Sequence, residues 1–411
     1  MRRFLLPITA LLLTILAGCA TPPTIKSQTR PAPVTSATPS APPQKPASSP
    51  RAAAVTPPFT PVAPGAPSRA QLTRQHILKL LPANLADRNG WAVDLQQAFL
   101  TLDIEPSSRN LCAVLAVIEQ ESNYQADPTV PNLPQIVQKE IQTRGDKYHV
   151  PERMVQWMLA RQSLDGRTYQ QRIDTLKTER EVSDLVEEIV ARVPGGNKLF
   201  HHYNPVRTGG PMQVSVAFAE EYVQRRPYPY PMPGSVRSEV FTRRGGLYFG
   251  TAILLDYPAP YKEPLYRFAD FNAGRYSSRN AAFQQALGKV AGKKIGTDGD
   301  LLRYKNGQPD SEASETLSAL LGMQHGLKMS EADIRRDLLL EKSPSFSQTV
   351  LYGRLFELAD RRATQPRTVM PGIQLHSPKF TRKLTTEWFA TRVQRRYATC
   401  LQNDTEQGKP R

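Results

Sequence analysis

Residues 111–124 read LCAVLAVIEQESNY. From Leu111 to Ile118 every side chain is apolar, so a helix here has no polar stripe to turn toward water. Such a helix must be enclosed by other elements. Ser107 and Ser108, just after Pro106, are start signals, and Glu119-Gln120-Glu121-Ser122 closes the segment. Outward from it the patterning is mostly helical. Residues 135–193 form a charged amphipathic stretch with breaks at Pro151 and Gly166, and Gly209-Gly210-Pro211 is a turn ahead of a helix over 214–223. Further helices are expected over 247–255, 280–290, 330–340, 348–362 and 386–401, with a hairpin around Asn306-Gly307. No internal repeat is visible. The fold class read from this pattern is mainly α.

Composition narrows the setting. The chain has 411 residues and a net charge of +16, with 39% hydrophobic residues, enough for a sizeable core. Its one membrane-like run, residues 4–17, is too short to span a bilayer and sits at the N-terminus, which excludes a polytopic membrane protein. Fourteen of the 37 prolines fall within residues 20–68, a stretch without Asp or Glu. Such a segment buries too little apolar surface to offset its ordering entropy and reads as a disordered tether of at most ~150 Å. The folded part is expected to run from about residue 71 to 401.

The N-terminus carries an address. Arg2 and Arg3 precede the apolar run, and Leu16-Ala17-Gly18-Cys19 resembles a bacterial lipobox. Residues 1–18 then form a lipoprotein signal peptide, and Cys19 is the acylated first residue of the mature chain. Ala20 in place of Asp resembles the outer-membrane sorting pattern, so the expected location is the outer membrane, lipid-anchored. Anionic lipopolysaccharide or cell-wall polymer suits the basic surface better than nucleic acid does. With Cys19 lipidated, Cys112 and Cys400 remain in an oxidising compartment. Cys400 shares a near-helical stripe with Phe389, Val393 and Tyr397, and a Cys112–Cys400 disulfide is expected.

The chain has no phosphate-binding loop, no nucleophile elbow and no metal-ligand spacing; His201 and His202 are adjacent and read as structural. No metal or cofactor is expected. The positive signal is an ordered series: Glu121-Ser122, then Gly209-Gly-Pro-Met-Gln213, then Gly250 in an apolar helix, then Phe271-Asn-Ala-Gly274 following a further helix. This succession resembles the core of lytic transglycosylases with a goose-type-lysozyme-like fold, over about residues 111–287. The resemblance implies a lysozyme-like domain over 71–290 with a helical insertion over about 132–203, and a helical C-terminal extension over 291–411. It assigns Glu121 as catalytic acid and Ser122, Gly210, Met212, Gln213, Asn272 and Ala273 as substrate-binding residues. The strings ESNYQADP, NPVRTGGPMQVS, RRGGLYFGT, FADFNAG, SRNAAFQ and PGIQLHSPK further resemble the YaiW-like family of enterobacterial outer-membrane lipoproteins.

Glu121 suits an acid's role on physical grounds as well. At the end of an apolar helix, desolvation and the negative end of the helix dipole both disfavour its charged form. Glu119, two positions earlier, points to another helix face. Glu220, Glu221, Asp256 and Asp270 are the candidates for a second carboxylate, although lytic transglycosylases manage with one. The family's Tyr in the Tyr-Asn-Ala-Gly motif is Phe271 here, with Tyr124, Tyr248 and Tyr266 as candidate substitutes for the missing hydroxyl. Two classes of function follow. One is a peptidoglycan lytic transglycosylase. The other is a non-catalytic glycan- or peptide-binding lipoprotein that assists peptide uptake, with an inner-membrane peptide transporter as its partner.

Overall fold

The computed structural model describes residues 69–192, 204–305, 308–375 and 384–407. Cys19, the proline-rich stretch, His201, His202 and the Asn306-Gly307 turn lie outside the described residues. Within them, three hydrophobic cores organise the chain, and helices dominate each.

The first core begins with α1 (Arg69–Leu80), α2 (Arg88–Leu102) and α3 (Ser108–Ser122). The Ser107 hydroxyl accepts a hydrogen bond from the Asn110 amide at 3.4 Å, and Asn123 ends α3 in the left-handed conformation. The first is the cap that the Pro-Ser-Ser entry predicts; the second is an ordinary left-handed helix end. Every α3 side chain from Leu111 to Ile118 is buried. Packed around it are a two-residue hairpin, β1 (Thr208–Gly209) and β2 (Val214–Ser215), then α8 (Val216–Arg225), α9 (Val236–Val240), α10 (Arg243–Leu255) and α11 (Pro264–Ala273).

The stretch from 133 to 191 has a core of its own. α4 (Leu133–Lys147), α5 (Glu152–Leu159), α6 (Tyr169–Asp174) and α7 (Glu179–Ala191) gather Leu133, Val155, Leu159, Ile173 and Leu185, closed by Val206 and Phe241. Breaks fall at Pro151 and Gly166 as expected. The second core holds α12 (Ser277–Ala291), β3 (Tyr304–Lys305) paired with β4 (Gln308–Pro309), α13 (Glu315–Leu321), α14 (Gln324–Leu327), α15 (Glu331–Leu338), a 3-10 turn (Pro344–Gln348) and α16 (Val350–Asp360). The β3–β4 pair flanks the expected Asn-Gly turn.

The C-terminal third is divided between two cores. After β5 (Gln374–Leu375) and β6 (Leu384–Thr385), α17 (Thr386–Gln407) returns to the first core. Phe389, Ala390, Val393 and Tyr397 pack there, α17 lies against both α3 and α11, and Cys112 and Cys400 form a disulfide. Two local readings change. The helix expected from residue 214 starts at Val216, because Val214 and Ser215 pair with Gly209 and Thr208 and the Ser215 hydroxyl caps α8. Phe271-Asn-Ala also forms the last turn of α11 instead of following a helix, and Gly274 ends it at φ +111°.

Candidate functional site

The glycine turn is built against α10. Residues 210–213 connect β1 to β2, and the Gln213 amide donates to the Gly210 carbonyl at 3.1 Å. Gly210 has φ +71°, and a Cβ there would meet the Val240 carbonyl oxygen at 2.2 Å, so only glycine fits. Met212 is fully buried, and a Cβ at Gly250 would meet its sulfur at 2.3 Å. Met212 is thus the bolt that seats the turn on α10 and is out of reach of any ligand in solvent. Gln213 sits at φ +48°, where its side-chain oxygen accepts from the Thr208 hydroxyl at 3.2 Å. α10 in turn packs on α3 and on α11.

At the end of α3, Glu121 is half-buried. Ser122 is buried, and its hydroxyl donates to the Ile118 carbonyl at 3.1 Å, a local back-bond. Asn272 and Ala273 sit half-buried in the last turn of α11. The Asn272 oxygen accepts from the Thr386 hydroxyl at 2.8 Å, so the motif's amide oxygen is committed to the start of α17. Phe271 stacks on Phe389 of the same helix, with centroids 6.4 Å apart. The partner helix of the Phe-Asn-Ala-Gly motif was the part not visible in sequence. Its only sequence trace was the Phe389/Val393/Tyr397/Cys400 stripe.

The other candidate acids are placed elsewhere. Asp270 is fully buried and accepts from the amides of Tyr276 and Ser278, each at 2.8 Å, and from the Tyr257 hydroxyl at 3.1 Å. It organises the entry to α12. Burial pushes its carboxyl up to about 6 against the pull of those donors. Asp256 accepts from the Tyr222 hydroxyl and from Arg226 at 3.1 Å. Glu221 pairs with Arg225 one turn away on the exposed face of α8, beside exposed Glu220. Of the tyrosines, Tyr248 is fully buried among Tyr222, Tyr228 and Phe249, and Tyr266 packs on Tyr261. Tyr124 lies at φ +60° with its ring edge-on to Trp91.

Sequence reasoning did not anticipate the environment of Glu119. Its carboxylate lies 3.1 Å from Arg396 Nε, and both line a cavity of about 240 Å³ between α1, α3 and α17. Glu119 and Glu121 thus leave α3 about 200° apart, as two residues at 3.6 per turn must.

Fold and site together define a class: a mainly α protein with three cores among the described residues. Its first core gathers a helix-end acid, a glycine turn seated on a glycine-bearing helix, and a disulfide-tied C-terminal helix. The chain belongs to the family described as a protein of unknown function, DUF1615, whose model matches residues 84–403. It is 49% identical over 325 residues to the protein named "Uncharacterized protein YaiW" of Escherichia coli (strain K12), covering 78% of this chain and 87% of that protein. No solved structure matches the chain.

Proposed function

We propose that this chain is an outer-membrane lipoprotein, anchored through Cys19, that acts on peptidoglycan as a lytic transglycosylase with Glu121 as its acid. The observation that supports this reading is convergence. Motifs spread from Glu121 to Gly274 lie on elements of a single core, with the turn on α10 and α10 on α3. In the proposed reaction Glu121 protonates the glycosidic oxygen between N-acetylmuramic acid and N-acetylglucosamine, and the C1–O bond breaks. The muramic acetamido group supports the cationic C1. The 6-hydroxyl oxygen then bonds to C1 and returns its proton to the Glu121 carboxylate. A single carboxylate thus serves as acid and then as base.

Purified sacculi test it. Glu121→Gln is expected to abolish release of anhydro-muropeptides, since losing a general acid costs ~10²–10⁴-fold. Glu357→Gln, on the exposed face of α16 in the second core, serves as the control that keeps activity. Anchoring is tested separately: Cys19→Ser is expected to leave a soluble or unprocessed chain. A variant that remains processed and membrane-bound would refute the anchor.

Specific contacts favour a second reading. The Ser122 hydroxyl and the Asn272 oxygen are already engaged within the fold, Met212 is buried, and Phe271 carries no hydroxyl. These suit a retained scaffold that binds glycan or peptide without cleaving it and assists peptide uptake. Sacculi that are bound without any soluble product would select this reading.

A further inference from the structure

No acidic residue falls between Asp270 and Asp298, whereas Arg275, Arg279, Lys289, Lys293 and Lys294 do. The two arginines spend their donors inside the fold. Arg275 donates to the Ala252 and Ile253 carbonyls, and Arg279 to those of Glu341 and Ser343. The three lysines have no acidic partner among the described residues. They gather instead around a hollow of about 320 Å³ at the end of α12, in the second core, and no carboxylate lines it. Like charges held together without a counter-ion repel one another.

The backbone builds that grouping. Gly292 ends α12 at φ +64°, and the amides of Gly292 and Lys293 both return to the Gly288 carbonyl. A Cβ at Gly288 would meet the Lys293 carbonyl oxygen at 2.8 Å, so glycine is what lets the chain double back against the helix. The turn sets Lys293 and Lys294 beside Lys289, and buried Ile295 pins it to the second core. The Lys289 ammonium is fixed by the Gln365 side-chain oxygen at 2.7 Å, which leaves two of its three donors. Lys289 lies in the last turn of α12, where a cation ordinarily serves the helix dipole. Lys293 and Lys294 lie beyond that end, and the Gly288 carbonyl is already satisfied by backbone, so the dipole does not account for them. The neighbouring carboxylates are engaged elsewhere: Asp298 accepts from Gln284 at 2.7 Å and Glu315 from the Gly296 amide at 3.0 Å.

We infer that this hollow is a binding site for a phosphate group. Ammonium groups are point charges without the planar fork that matches a carboxylate, and three of them suit the more highly charged, tetrahedral phosphate. Gln285 and Thr297 add neutral polar groups to the same wall. The hollow is broadly open to solvent, so it admits either a free phosphate or one borne on a lipid headgroup. The inference rests on the second core alone and depends neither on Glu121 as an acid nor on Cys19 as an anchor.

Calorimetric titration of the full-length protein, in nonionic detergent at low ionic strength, tests it. The probes are pyrophosphate, dihexanoyl phosphatidic acid and acetate. Saturable binding of a phosphate probe is expected at a Kd of about 0.1–1 mM, with acetate at least about tenfold weaker. Binding of pyrophosphate would assign the site to the phosphate itself, and binding of the lipid form alone would assign it to a headgroup. Lys293 and Lys294 are exposed, so Lys293→Gln and Lys294→Gln leave the fold alone, and each should weaken the phosphate probe by about fivefold. Lys139→Gln makes the same change of charge at an exposed position of α4 and should leave the affinity unaltered. An equal loss in Lys139→Gln would reveal diffuse surface charge in place of a site. That result, no saturation by either phosphate probe, equal binding of acetate, or an unaltered Kd in both Lys293→Gln and Lys294→Gln would overturn the assignment.

Discussion

α3 and α12 are both 15 residues long and both largely enclosed, yet they are enclosed by different chemistry. α3 is surrounded by carbon and tied to α17 through Cys112–Cys400. α12 buries Arg279, Asn280 and Gln284 instead. Arg279 donates to the carbonyl oxygens of Ser343, at 2.7 Å, and of Glu341, and its guanidinium lies over the Tyr276 ring. Asn280 donates to the carbonyls of Gly299 and Glu341, and Gln284 exchanges hydrogen bonds with Asp298 and Gly299. Hydrophobic contact is non-directional, so the first core tolerates imprecision. The polar lattice around α12 holds only while each donor keeps its acceptor.

The largest expected effect breaks the first core. The disulfide closes a loop of 288 positions, and replacing both cysteines by serine is expected to cost about 4–5 kcal/mol in the chain-entropy picture. Denaturant midpoints check it, and thiol labelling of the denatured, unreduced protein should find neither Cys112 nor Cys400 reactive.

Next comes the lattice of the second core. Arg279→Ala leaves the Asn280 side-chain oxygen without its donor and takes one of two donors from each of the Ser343 and Glu341 carbonyls, at an expected cost of about 2–3 kcal/mol. Burial also pulls the guanidinium of Arg279 down to about 10, a sign of how fully it is desolvated. A loss below 1 kcal/mol would mean that the lattice is ornamental.

A pH series separates the two cores more finely. Glu341 is fully buried, and burial pushes its carboxyl from an ordinary 4.5 up to about 7. The folded state therefore holds a proton that the unfolded state releases earlier. The second core is expected to lose stability as pH rises from about 4.5 to 7, by roughly 3 kcal/mol in total. Glu341→Gln should flatten that slope while leaving the first core's hydrogen-exchange protection unaltered. A slope that persists in the variant would locate the titration elsewhere.

The contrast between α3 and α12 also marks what could be read from the sequence. A run of eight apolar residues announces burial by itself, and Ser107 starts α3 by cap chemistry that depends only on near neighbours. α12 was legible as a helix from its composition, but its burial was not. Arg279, Asn280 and Gln284 find their partners at Gly299, Asp298, Glu341 and Ser343, between 14 and 64 positions away. No local pattern encodes those pairings. The site divides similarly. The turn at Gly209-Gly210-Pro211 and the acid at the end of α3 were readable, whereas the commitment of Asn272 to Thr386 depends on α17 returning across the sequence to the first core. Asp270 was visible as an acid but not as the cap of α12.

The most direct test concerns the chemistry that a single carboxylate can perform. Mass spectrometry of the soluble products from purified sacculi distinguishes a 1,6-anhydro ring from a free reducing end. Anhydro-muropeptides are expected from the wild-type protein and none from Glu121→Gln. Free reducing ends would reveal a hydrolase with a second carboxylate, and sacculi bound but left intact would reveal a binding protein; either result would contradict the proposed reaction.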